Sequence, residues 1–140
     1  EKEMAEALVA KLGLQEKVVF LGESNEIDKI LCFSDLFLLP SEKESFGLAA
    51  LEAMVNGVPV ISTNSGGIPE VNIHGVSGYL AEIGDVQAMG DFGVKILEDN
   101  DTLKRFKENA LEQAKTFDID IVVPQYEALY EKALAEIKKA

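Results

Sequence analysis

Short apolar runs alternate along this chain with longer segments in which apolar residues recur every three or four positions. The short runs predict buried strands, and the longer segments predict amphipathic helices. The predicted strands cover 18–22, 36–40, 58–62 and 78–80. The predicted helices cover 2–13, a short stretch through 27–31, 46–56, 68–73, 85–98, 101–115 and 121–138. Because the strands are apolar on both faces and alternate with helices, the pattern predicts an α/β domain in which helices cover both faces of a parallel sheet.

The two ends of the chain predict contacts beyond this domain. The first predicted element is a helix, whereas a doubly wound domain normally begins on a strand. We therefore expect a lobe that is incomplete at its N-terminus, with one or two strand–helix units upstream. The last predicted helix carries an apolar stripe of Tyr126, Leu129, Tyr130 and Leu134, which either packs within the lobe or braces a partner domain.

Composition narrows the class of partner. With 140 residues, 47% of them hydrophobic, the chain is long enough for one globular domain. Its formal net charge of −12 disfavours nucleic acid and anionic membranes as partners, and no apolar run reaches the ~18–20 residues of a membrane span. The single cysteine, Cys32, has apolar neighbours and is expected to be a core thiol in a cytoplasmic protein. The sequence leaves a homo-oligomer open.

Two carboxylates mark the candidate site. Ligands bind at the carboxyl ends of the strands in parallel sheets, so the loops at 22–25, 40–46 and 63–70 are the places to search. The second loop holds Glu44, and Glu52 follows eight residues later, with mostly small or apolar residues between them. Because a charge in an apolar segment costs free energy unless it has partners, Glu52 is expected to meet a ligand or a buried donor.

Glu44 has two interpretations. The sequence 41–44 fits a capping box, in which Glu44 caps a helix that starts early. Alternatively, Glu44 stays on the loop and the helix starts at 45–47, with its first-turn N–H groups exposed as an anion site. Eight helical residues would span about 12 Å, roughly the distance from the sugar to the ribose of a nucleoside diphosphate sugar.

An ordered series of motifs resembles one enzyme family. The series consists of 40–41, 44–48, 51–54, 57–61, 66–70 and 75–80. It is similar to the E-x7-E signature, with its continuation, of the retaining GT-B glycosyltransferases of family 4. The resemblance covers nearly the whole chain and implies their Rossmann-like C-terminal lobe, which binds a UDP-sugar donor. It also implies that no cofactor and no metal is required.

The resemblance implies a role for each matching residue. Glu44 would be catalytic, binding the donor-sugar hydroxyls and stabilising charge on the sugar, and Glu52 would bind the ribose hydroxyls. The backbone at 45–48 would meet the sugar and the distal phosphate, and the loop after 20–22 would pack on the nucleobase. The expected substrate-binding residues are therefore Leu21, Gly22, Glu44, Ser45, Phe46, Gly47, Leu48 and Glu52.

The acceptor site and the basic residues that hold the diphosphate are expected in the protein's own N-terminal lobe. The isolated chain is therefore expected to be inactive. Residues 41–47 are most similar to a branch of the family that works in bacillithiol biosynthesis. This similarity implies transfer of N-acetylglucosamine from UDP to L-malate, with an α-linked product.

Several alternatives stay open. A UDP-sugar epimerase of the same architecture would need a histidine, and the chain has only His74. A nucleotide-binding α/β domain without activity is a second alternative. A phosphoacceptor receiver domain is disfavoured, because the predicted middle strands end in Pro40 and Ser62 rather than in an aspartate. The pair Gly66 and Gly67 forms either a turn that needs positive φ or an anion-binding nest.

Overall fold

The computed structural model describes residues 2–137, which contain seven helices and three strands. The helices are α1 Lys2–Lys11, α2 Ile27–Cys32, α3 Leu48–Val55, α4 Ile68–Val71, α5 Val86–Leu97, α6 Asn100–Lys115 and α7 Ile119–Ile137. The strands are β1 Phe37–Leu39, β2 Val60–Thr63 and β3 Gly78–Ala81. Each predicted helix is present, although the predicted end of the last one, at 138, lies outside the described residues.

The three strands form one parallel sheet in the order β1-β2-β3. Val60 pairs with Phe37 on one side and with Gly78 on the other, so β2 is the central strand. All four residues of β2 are buried, as expected for a parallel strand that is covered on both faces. The predicted α/β fold with a parallel sheet is confirmed.

Two hydrophobic clusters cover the two faces of the sheet. Val60 packs in a cluster with Met54 of α3 and Ala110 of α6. Ile61, the next residue along β2, packs in a second cluster with Ile96 of α5. Because successive side chains of a strand point to opposite faces, α3 covers one face of the sheet and α5 covers the other. Helix α6 contributes Ala110 to the first cluster and Phe106 to the second.

A buried amide side chain connects the end of α4 to β2 and β3. Asn72 Nδ2 donates to the carbonyl oxygens of Val60 at 3.0 Å and Tyr79 at 3.2 Å, and to Ser62 Oγ at 3.0 Å. Asn72 Oδ1 accepts from Ser77 Oγ at 3.1 Å. The residue is fully buried, so each of these groups depends on the protein for its hydrogen bond.

The predicted strand at 18–22 is wrong. These residues have no strand structure and pair with none of the three strands. Val19 is 78% exposed and Leu21 is 63% exposed. Branched and aromatic residues favour a strand only where a neighbouring strand takes up the backbone hydrogen bonds and packs on the side chains. No such neighbour is provided by β1, β2 or β3.

One prediction of burial is also corrected, and one of the two alternatives for α7 is excluded. Cys32 is exposed, and its Sγ donates to Asn56 Oδ1 at 3.2 Å. The reason is that α2 is short and buries a single residue, Leu31. The apolar stripe of α7 does not pack within the lobe: none of the described residues of α7 is buried, and Leu129 is 57% exposed.

Replacing Asn72 with alanine should lower the free energy of unfolding by about 2–4 kcal/mol. The acceptors on β2 and β3 would lose their buried donor, and a small void would form. Urea unfolding followed by circular dichroism measures this difference. The matched control Asn64→Ala changes an exposed asparagine and should shift stability by less than about 0.5 kcal/mol. Equal stability of the two variants would contradict the assignment.

Candidate functional site

Glu44 lies on the loop between β1 and α3 and caps the backbone just before α3. Its Oε1 accepts hydrogen bonds from the backbone N–H groups of Ser45 at 3.1 Å and Gly47 at 3.3 Å. The residue is half-buried, and no donor to its Oε2 is found among residues 2–137. The capping-box interpretation is wrong, because 41–47 is not helical. Glu44 caps from the loop through one oxygen and leaves the other available to a ligand.

Helix α3 begins at Leu48, and no side chain caps its first turn. Gly47 is the N-cap residue, with a φ of 96°. Within the described part of the chain, the N–H groups of Leu48, Ala49 and Ala50 have no acceptor. These amides stand at the positive end of the helix dipole, so they form a site that attracts an anion without a basic side chain.

A cavity of about 460 Å³ lies beside Glu44. It is lined by Lys43, Glu44, Ser45, Ser65 and Gly66. Ser65 and Gly66 are additions to the expected site residues. They follow β2, and the parallel pairing of β1 with β2 brings the loops after both strands to the same edge of the sheet. Their loop, 63–70, was among those predicted to hold a ligand, and the strand pairing is what brings it beside Glu44.

Glu52 is exposed on α3, which corrects the argument that singled it out. No hydrogen bond or ion pair to its carboxylate is found among residues 2–137, but its exposure removes the expected cost of burial. The estimate of about 12 Å rested on eight helical residues between the two glutamates, and that premise is wrong. Only Leu48 to Glu52 is helical, which corresponds to about 6 Å of rise. The assignment of Glu52 to ribose remains a prediction.

The remaining expected site residues lie in different surroundings. Leu21 and Gly22 are exposed and do not line the cavity beside Glu44. Phe46 is 40% exposed, and its ring packs edge-on against Phe117 with a centroid distance of 5.8 Å. This contact ties the loop before α3 to the segment that follows α6. Contact of Leu21 and Gly22 with a nucleobase stays a prediction.

His74 belongs to an aromatic cluster rather than to the cavity beside Glu44. Its Nδ1 accepts from the backbone N–H of Leu80 at 3.1 Å, and its ring lies edge-on to those of Tyr79 and Phe92. In the range 2–137 no group of three or more His, Cys, Asp or Glu residues is arranged to hold a metal ion. No helix in that range combines the length and the hydropathy needed to cross a bilayer.

Comparison with known proteins identifies the family. The family model described as glycosyl transferases group 1 matches residues 1–113. The chain belongs to this family. The open α3 N-terminus and the carboxylate beside it are therefore features of a group 1 glycosyl transferase domain.

Several group 1 relatives are similar over most of this chain. N-acetyl-alpha-D-glucosaminyl L-malate synthase of Bacillus anthracis is 44% identical over 132 residues, which are 94% of this chain and 35% of that protein. Anabaena HepE, solved in complex with UDP-glucose, has a TM-score of 0.81 and 30% identity over 92% of this chain and 36% of that one.

A second solved structure represents a single domain. The C-terminal domain of a glycosyl transferase group 1 family protein from Francisella tularensis has a TM-score of 0.74 and 31% identity over 83% of this chain and 61% of that one. The present chain spans about a third of the length of the curated relatives, 35% and 31% of the first two.

Removing the Glu44 side chain should destabilise the loop before α3. Glu44→Ala leaves the N–H groups of Ser45 and Gly47 without their acceptor, and the expected loss is about 1 kcal/mol of unfolding free energy. Urea unfolding measures this loss. The control Glu42→Ala removes an exposed carboxylate two residues earlier and should be neutral. If Glu44→Ala is equally neutral, the capping contacts do not stabilise the fold.

Proposed function

We propose that this chain is the donor-binding, C-terminal lobe of a retaining glycosyltransferase that transfers N-acetylglucosamine from UDP to L-malate. The observation that carries the proposal is the uncapped N-terminus of α3 beside the free oxygen of Glu44. Amides at a positive helix end suit a phosphate, and a carboxylate suits the hydroxyls of a sugar. The 44% identity to the B. anthracis synthase supports the choice of substrates.

In the proposed complex, the distal phosphate of UDP accepts hydrogen bonds from the N–H groups of Leu48 and Ala49. Glu44 Oε2 faces the sugar, and Glu52, one helical turn into α3, accepts from the ribose hydroxyls. When the bond between sugar and diphosphate breaks, negative charge develops on the phosphate and positive charge on the sugar. The helix amides stabilise the first and Glu44 stabilises the second, both from positions that are set before the reaction begins.

The acidic composition of the chain supports a contribution to the phosphate site from basic groups outside it. The chain carries 25 acidic and 13 basic residues, and Lys43 is the base that lines the cavity beside Glu44. We propose that further basic groups on the N-terminal lobe complete the binding site for the diphosphate, with no metal required. A cytoplasmic location is part of the proposal, since the lone, exposed Cys32 fits a reducing compartment.

Exposed apolar surfaces support a longer protein. The edge of β1 that faces away from β2 pairs with no strand among the described residues. Leu36, Leu38 and Pro40 line an apolar cavity of about 470 Å³ together with α5, and Leu38 is 55% exposed. Because parallel sheets are normally covered, we propose that further strand–helix units continue the sheet at β1. We propose that the exposed stripe of α7 contacts the N-terminal lobe.

Glu52→Ala, made in the longer glycosyltransferase, should weaken UDP binding about tenfold or more and change kcat little. Hydrogen bonds from the ribose to a charged acceptor contribute about 1.5–3 kcal/mol. Calorimetric titration with UDP and steady-state kinetics measure the two effects. Glu108→Ala on α6, also exposed, is the control and should leave both unchanged. An unaltered UDP affinity in Glu52→Ala would remove the ribose assignment.

Glu44→Gln should mainly lower kcat, by about a hundredfold, the order expected when one preorganised electrostatic contact is lost. Glutamine keeps an oxygen for the N–H groups of Ser45 and Gly47, so the variant removes the charge while it retains the cap. Initial rates at saturating donor, with UDP affinity measured alongside, separate chemistry from binding. Rates equal to those of the parent enzyme would leave Glu44 with its capping role alone.

A further inference from the structure

We propose that the segment 63–67, which follows β2, positions Glu44 and the start of α3 for the reaction. The expected effect on catalysis rests on the proposed function. The positioning itself is argued from contacts within this chain. We call the residues 63–67 the clamp and the residues 41–47 the glutamate loop.

Three hydrogen bonds connect the clamp to the backbone of the glutamate loop. Thr63 Oγ1 donates to the carbonyl oxygen of Ser41 at 2.5 Å, and Ser65 Oγ donates to that of Glu42 at 3.1 Å. The backbone N–H of Gly67 donates to the carbonyl oxygen of Ser45 at 3.2 Å. The contacts therefore fall before and after Glu44 and fix the path of the chain through it.

The two glycines of the clamp allow the segments to touch. A Cβ atom at Gly66 would lie 1.6 Å from the carbonyl oxygen of Glu44, and one at Gly67 would lie 2.6 Å from that of Ser45. Gly66 has a φ of 57°, so it forms the turn that was one of its two interpretations. The N–H of Gly67 is already bonded to Ser45, so it is not part of a free anion-binding nest.

The clamp is itself anchored in the core. Thr63 is 1% exposed at the end of β2, and Ile68, directly after the clamp, is fully buried. The glutamate loop, by contrast, follows the short edge strand β1 and has no regular structure of its own. The clamp, which is anchored in the core, therefore sets the position of the glutamate loop. Thr63 and Gly67 are positioning residues, because they act through Glu44 rather than on a ligand.

Two variants test the clamp in the 140-residue chain. Gly67→Ala adds the clashing Cβ atom, and Gly90→Ala is its control, because Gly90 also lacks a positive φ and has open space around its Cβ position. Thr63→Val removes one hydroxyl at nearly constant shape, and Thr63→Ser restores the hydroxyl. Neither Thr63 nor Gly67 lines the cavity beside Glu44.

The first measurement is the amide nuclear magnetic resonance spectrum without ligand. Thr63→Val and Gly67→Ala should move the N–H resonances of Ser45 and Gly47, which Glu44 caps, while Gly90→Ala should leave them in place. Thr63→Ser should return them to the parent positions. Unchanged Ser45 and Gly47 resonances in Thr63→Val, with the chain folded, would overturn the proposed positioning of Glu44 by the clamp. This outcome does not depend on which ligand the chain binds.

The second measurement is calorimetric titration of the same variants, made in the longer glycosyltransferase, with UDP-N-acetylglucosamine and with UDP. The clamp variants should weaken binding of the sugar nucleotide by about tenfold, the equivalent of one hydrogen bond to a charged group. They should weaken binding of UDP by much less. Equal weakening of both ligands would overturn the positioning of Glu44 and indicate a general loss of structure. If the longer glycosyltransferase binds neither ligand, the proposed function fails, and the spectra alone decide on the clamp.

Discussion

The parallel pairing of β1 with β2 is the constraint on which the site depends. It brings the loops that follow the two strands to the same edge of the sheet. One loop carries Glu44 and leads into α3, and the other supplies Ser65 and Gly66 to the same cavity. Without this pairing, Glu44 and Ser65 would belong to spatially separate loops. With it, both residues line one cavity of about 460 Å³.

Net charge explains why the site is built from backbone groups. A chain with a formal charge of −12 has a surface that repels anions at long range. The amides at the start of α3 act only over the first turn of the helix and carry no counter-charge of their own. In the proposed complex they bind a phosphate locally on an acidic protein, and the proposed N-terminal lobe supplies the basic groups for the diphosphate.

Local sequence patterns predicted the parts of the fold that depend on local physics. The helices and the strands around 37–39, 60–63 and 78–81 follow from apolar periodicity, and each of these strands has a neighbour in the structure. The segment 18–22 has the same kind of pattern but pairs with none of them. Strand formation is a property of a pair, and the sequence of one member does not contain it.

The candidate site was predictable to a similar extent. The position of Glu44 beside a helix start followed from the spacing of the motif, while the exposure of Glu52 depends on how α3 packs and was misjudged. The loop 63–70 was predicted to lie at the site, but Ser65 was not named, because its position beside Glu44 depends on strand order.

The central claim is that the amides at the start of α3 bind the donor phosphate beside Glu44. A crystal structure of the longer glycosyltransferase with UDP-N-acetylglucosamine tests it most directly. The account predicts a phosphate oxygen within about 3.2 Å of the backbone nitrogen of Leu48 or Ala49, with the sugar against Glu44. A diphosphate bound away from the start of α3 would contradict it.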